Sequence, residues 1–106
     1  MESIPKTMMA WTKTLDEQGG FTKEEHPVPK PGLGEVLVKT HSTSVCGTDI
    51  HIWKWDQWSR DNVPLGTITG HETCGRVVAV GDDVIKPAIG DFVAIECHFA
   101  CLACPR

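Results

Sequence analysis

The chain has 106 residues, a formal net charge of −4, 41% hydrophobic and 23% charged residues, the composition of one ordinary globular domain. The acidic balance speaks against a general nucleic-acid binder, which carries a basic face, and no apolar run approaches the roughly 18 residues of a membrane-spanning helix. The opening Met1-Glu2-Ser3-Ile4-Pro5-Lys6 lacks the basic-then-apolar layout of a secretory leader, so the expectation is a cytoplasmic protein with no nucleic-acid and no membrane partner.

Taken in order, residues 8–12 form a short apolar-led run that predicts a first strand, and the polar residues 14–20 end in the turn signal Gly19-Gly20. Residues 27–34, with Pro27, Pro29, Pro31, Gly32 and Gly34, forbid helix and permit a sharp turn. Residues 35–40 are the best strand, with Val36 and Val38 alternating against Lys39. Residues 49–58 suggest a helical turn or two. A glycine-bounded strand follows at 75–81, Asp82-Asp83 turns the chain, and Gly90-Asp91 leads into a third strand at 92–95. Short strands with Gly and Pro between them predict a mainly β, barrel-like or sandwich domain. There is no Gly-x-Gly-x-x-Gly after a strand and no phosphate-binding Gly-x-x-x-x-Gly-Lys-Ser/Thr.

The five cysteines, Cys46, Cys74, Cys97, Cys101 and Cys104, are an odd set without a secretory leader, which favours metal binding or catalysis over disulfides. Cys46-Gly47-Thr48-Asp49-Ile50-His51 follows the best strand, and Gly70-His71-Glu72 precedes the next. Thiolate, imidazole and carboxylate are all zinc ligands, and three protein ligands with one open position make a catalytic zinc. Such an ion acts as a Lewis acid and favours the deprotonated form of a bound oxygen. Asp49 is placed to accept from the outer nitrogen of His71. Thr48 offers a hydroxyl for a substrate proton, and His51 an imidazole suited to carrying it to solvent. The plainer alternative is that Cys46 is a small buried residue and that His71 and Glu72 are a surface pair.

Cys97-His98-Phe99-Ala100-Cys101-Leu102-Ala103-Cys104 holds one Cys-x-x-Cys. Tetrahedral zinc sites use that spacing, a redox pair is the competing reading, and two half-buried thiols are the third. Trp53, Trp55 and Trp58 lie within six residues. Packing is their default role, and the wall of a small-molecule cleft is the functional one. Asp56 and Asp61 beside Lys54 and Arg60 argue against a single-strand nucleic-acid platform.

In order and spacing, Pro31-Gly32-Leu33-Gly34-Glu35-Val36-Leu37-Val38-Lys39, Cys46 to His51, Gly70-His71-Glu72, Gly75 to Gly81 and Gly90-Asp91-Phe92-Val93 resemble the zinc-dependent medium-chain alcohol dehydrogenases, in their N-terminal GroES-like catalytic domain. The resemblance implies a partial GroES-like β-barrel with short helical turns over residues 1–106, truncated before the Rossmann domain. It implies a catalytic zinc on Cys46, His71 and Glu72, a proton relay of Thr48 and His51, Asp49 orienting His71, and His98 near the substrate. Cys101 and Cys104 would be two of four structural-zinc cysteines, with Cys97 outside the set. The implied activity is alcohol oxidation by hydride transfer to NAD, which would be bound mainly by a domain absent here. These residues alone would then give no turnover. A small-molecule alcohol is the implied partner, and a homo-oligomer, dimer or tetramer, the implied assembly.

Overall fold

A computed structural model describes residues 3–96. Strands β1 (Thr7–Lys13) and β2 (Phe21–Pro27) form an antiparallel hairpin, and the two-residue β4 (Thr67–Ile68) adds to the other edge of β1. Strands β3 (Val36–Ser44), β5 (Glu72–Val80) and β6 (Phe92–Ala94) form a second antiparallel sheet in the order β3-β5-β6. Between β3 and β4 lie helices α1 (Gly47–Lys54) and α2 (Gln57–Asn62). The mainly β reading therefore holds, as six strands and two short helices among the described residues. The two sheets do not close on one another.

The second sheet follows from its sequence. Thr73 to Val80 is rich in β-branched residues that suit a pleated surface, and Val77 at its centre is 1% exposed, a burial that contributes roughly 2 kcal/mol. The predicted alternation over 35–40 is not what forms. Val36, Leu37 and Val38 are all half-buried and Lys39 onward is exposed, because register shifts between Leu37 and Val38 and between Thr40 and Ser42 interrupt the two-residue period. At the far end, a Cβ on Gly81 would stand 1.8 Å from the Gly32 carbonyl oxygen. The same close approach lets Gly81 N–H donate to Glu35 at 2.8 Å. Gly81→Ala is therefore expected to destabilise the protein by about 2–3 kcal/mol, read as a lower urea midpoint at unchanged slope.

The hairpin and the helices are joined by one side chain. Lys13 is 0% exposed. Its ammonium donates to the backbone carbonyls of Glu17 and Gly19, and it lies 4.3 Å from the Trp55 ring centroid and 5.5 Å from that of Phe21. Burial pushes its pKa below the ordinary lysine value, against the pull of Glu17 and Asp16. Trp55 is 4% exposed and donates from its indole to Asp16 at 2.6 Å. In return, the predicted turn at 14–20 closes on Gly20 O, which accepts from Thr14 and Leu15, and Gly19 N–H donates to Trp53 O at 2.7 Å. The tryptophan cluster thus divides. Trp55 is core, while Trp53 and Trp58 are 49% and 54% exposed.

The helical reading of 49–58 becomes two helices because the chain breaks at Trp55, which adopts φ 57 and ψ 50. That left-handed conformation is costly for a bulky residue, and the Asp16 bond to the indole and the Lys13 ammonium over the ring hold it. Asp56 then caps α2, accepting from Ser59 N–H at 2.9 Å.

Candidate metal centre

Cys46 is the N-cap of α1. Asp49, at the third helical position, accepts from the Cys46 backbone N–H at 3.1 Å, half of a capping box. That bond satisfies an otherwise orphaned donor while the cysteine side chain turns to a different partner. Its Sγ lies 3.0 Å from Nε2 of His71, which stands at the entrance to β5. The opposite ring nitrogen of His71, Nδ1, faces Asp49 Oδ1 at 4.0 Å. Asp49 lies behind the histidine at an ion-pair separation, not at the hydrogen-bond length expected of an acceptor for the ring.

Cys46, Asp49 and His71 each bring one ligand-type atom to within 4.8 Å of the others. A thiolate and an imidazole bound to one tetrahedral zinc stand roughly 3.6 Å apart, given Zn–S near 2.3 Å and Zn–N near 2.0 Å. The pair here fits a single such ion after a small opening. Soft sulfur with imidazole suits zinc rather than magnesium or calcium. Asp49 is the brace in this arrangement, since one of its oxygens is committed to the Cys46 amide.

Glu72 is placed differently. It opens β5 directly opposite Ser44 of β3, and its Oε2 accepts from Ser44 Oγ at 2.6 Å. Bonded to that partner, Glu72 lies beside His71 in an open cleft of about 500 Å³ shared with Cys74 but outside the three-residue group. Thr48 and His51 sit one turn apart on α1, on one face, and line a small cavity of about 250 Å³ with Asp56 and Trp58. His98, Cys101, Cys104 and Cys97 lie outside the described residues.

The sequence reading did not assign a role to Asp56. Its Oδ2 accepts from His51 Nδ1 at 2.7 Å, while Oδ1 accepts from Ser59 N–H. Its pKa is held below the ordinary aspartate value, first by the Ser59 amide and then by His51. The signal available was the capping spacing Asp56-x-x-Ser59. The contact with His51, five residues back, exists only because of the left-handed turn at Trp55.

Comparison with known proteins identifies the frame. Residues 32–106 match the family model described as the alcohol dehydrogenase GroES-like domain. L-threonine 3-dehydrogenase of Francisella tularensis subsp. novicida is 43% identical over 97 residues, covering 92% of this chain and 28% of that protein. L-threonine 3-dehydrogenase of Symbiobacterium thermophilum is 46% identical over 103 residues, 97% of this chain and 29% of that one. Among solved structures, acetophenone reductase from Geotrichum candidum in complex with NAD superposes with a TM-score of 0.81 at 30% identity, over 97% of this chain and 29% of its own. The alcohol dehydrogenase TADH from Thermus sp. ATN1 gives 0.73 at 30% identity, over 92% and 27%. The chain therefore spans less than a third of the length of these relatives. The strand order, the cysteine at the head of α1 and the histidine facing it thus sit on a shared frame, and the chain belongs to the alcohol dehydrogenase GroES-like domain family.

Proposed function

We propose that the chain is the zinc-binding, substrate-facing portion of an NAD-dependent alcohol dehydrogenase whose substrate is the secondary hydroxyl of L-threonine. The observation that carries the reading is the pairing of Cys46 Sγ with His71 Nε2 at 3.0 Å, braced by Asp49. The substrate assignment is supported by relatives named L-threonine 3-dehydrogenase and by the run His51-Ile52-Trp53-Lys54-Trp55-Asp56-Gln57-Trp58 with His98-x-x-Cys101-x-x-Cys104, which looks most like that enzyme's, though polyol and sugar dehydrogenases share much of it.

Cys46 and His71 would hold the metal, with Glu72 as the third ligand once its side chain leaves Ser44. When bound, zinc would supply a Lewis acid for the hydroxyl oxygen, and NAD, held mainly by another domain, would supply the hydride acceptor. Asp49 keeps the His71 ring turned with Nε2 toward the thiolate. Thr48 takes the hydroxyl proton and passes it to His51, whose side chain is 63% exposed and delivers it to solvent. Hydride and proton together account for the two hydrogens lost as the alcohol becomes a 2-amino-3-ketone. Phe21, Ile50 and Trp53 line a broad, largely apolar cleft that also reaches Asp49, a surface suited to shielding a small substrate from water. In the family's pattern His98 adds a polar group near the substrate, and Cys101 with Cys104 begins a separate structural zinc site.

The test is metal analysis and NAD reduction by the purified full-length protein with L-threonine, polyols and sugar alcohols. Bound zinc with L-threonine oxidised at the highest kcat/KM is the expected result. Preference for a polyol moves the substrate assignment. Zinc without oxidation of any alcohol makes this a non-catalytic zinc module and sinks the reading.

A further inference from the structure

We infer that Asp56 is a positioning residue for His51: its carboxylate, clamped between the His51 ring and the first turn of α2, fixes which ring nitrogen carries the proton and where the other points. This rests on the proposed relay of Thr48 and His51. The carboxylate has two donors, one for each oxygen. Ser59 N–H binds Oδ1 at 2.9 Å and the His51 ring binds Oδ2 at 2.7 Å. An ionised carboxylate only accepts, so His51 Nδ1 is the donor. In the neutral ring, Nε2 is then left with its lone pair free, the state needed to receive a proton from a neighbouring hydroxyl.

The clamp has a rigid origin. Ordinary helix geometry does not bring residues five apart into contact. The left-handed Trp55 folds Asp56 back over the end of α1, and Trp55 is itself locked by Asp16 and Lys13. Because α2 fixes one oxygen, the other approaches His51 from a set direction. Thr48, His51, Asp56 and Trp58 line the same cavity, so the oriented ring and Thr48 border one space.

Two variants of the full-length protein separate positioning from capping. In Asp56→Ser, the serine hydroxyl still caps α2 but is too short to hold the ring. In Asp56→Asn, a single acceptor oxygen serves two donors. Each is expected to lower kcat roughly 10- to 100-fold, the usual cost of losing a group that orients a working histidine, with KM within about twofold and zinc content unchanged. In a His51→Gln background, Asp56→Ser is expected to add no further loss, since coupled residues do not add. An equal fold-loss in both backgrounds, or wild-type kcat in Asp56→Ser, overturns the inference. Nitrogen NMR of labelled histidine gives a readout independent of turnover. His51 is expected as the Nδ1–H tautomer in the wild type and to change to Nε2–H in Asp56→Ser, and an Nε2–H ring in the wild type overturns the clamp. An Nδ1–H ring in a protein that oxidises no alcohol supports the clamp and removes the dehydrogenase reading alone.

Discussion

Cys46→Ala in the full-length protein is expected to abolish zinc binding at this site and to lower kcat/KM for the alcohol by at least about 10³-fold, about 4 kcal/mol of transition-state stabilisation. The size follows from what the residue does. Cys46 supplies the sulfur of the Cys46–His71 pair, and alanine leaves His71 and Asp49 with no soft ligand between them. The fold should survive, because the cap of α1 rests on the Asp49 carboxylate and the Cys46 backbone N–H, which alanine retains. Cys74 is the internal control. It is a half-buried thiol on β5, paired with Ala94 across the sheet, and it is not among the three clustered groups. Cys74→Ala is expected to keep zinc. Metal analysis of the two purified variants decides the matter: equal zinc in Cys46→Ala and wild type means that the centre has been placed on the wrong residues.

Lys13→Met is expected to cost about 3 kcal/mol of stability, measured as the drop in denaturation midpoint of the full-length protein. Methionine matches the length and apolar stem, so cavity formation is a minor part. What is lost is the donor to the carbonyls of Glu17 and Gly19 and the cation over Trp55. Losing two hydrogen bonds from a charged donor costs about 1.5–3 kcal/mol, and the cation–π contact adds about 1 kcal/mol. The desolvation that lowers the lysine pKa works in the opposite direction and limits the total. Unchanged stability would mean that this desolvation cost cancels all the contacts made.

Much of this was legible in the chain. The β-branched run ending at Val80 and the short Phe92-Val93-Ala94 run declare strands through composition, and both form. Strand β2 did not, since Phe-Thr-Lys-Glu-Glu-His-Pro has one large apolar residue. It forms because β1 pairs with it along its full length and His26 reaches Thr12 Oγ1 at 2.8 Å, a tertiary contact without local signature. Strand β4, two residues long, carries no pattern at all. At the site, residue type and order named Cys46, His71 and Glu72 as ligands with Asp49 behind His71, and of these the grouping of Cys46, Asp49 and His71 was legible. The present orientation of Glu72 was not, because it depends on a cross-strand neighbour, Ser44, that only the register identifies. Asp56 was invisible for a different reason. A tryptophan in left-handed conformation has no sequence signal, and without that turn the aspartate cannot meet His51.

The turn between β1 and β2 has one more implication. Surface hairpin loops ordinarily drift in length, since an added residue changes only solvated chain. Here the loop's carbonyls at Glu17 and Gly19 grip Lys13, its Asp16 holds the Trp55 indole, and its Gly19 amide binds the end of α1. An insertion or deletion between residues 14 and 20 would break that grip and release the corner from which α1 and α2 diverge. This loop is thus of fixed length, a spacer whose gauge is set by chemistry 34 to 39 positions further along the chain.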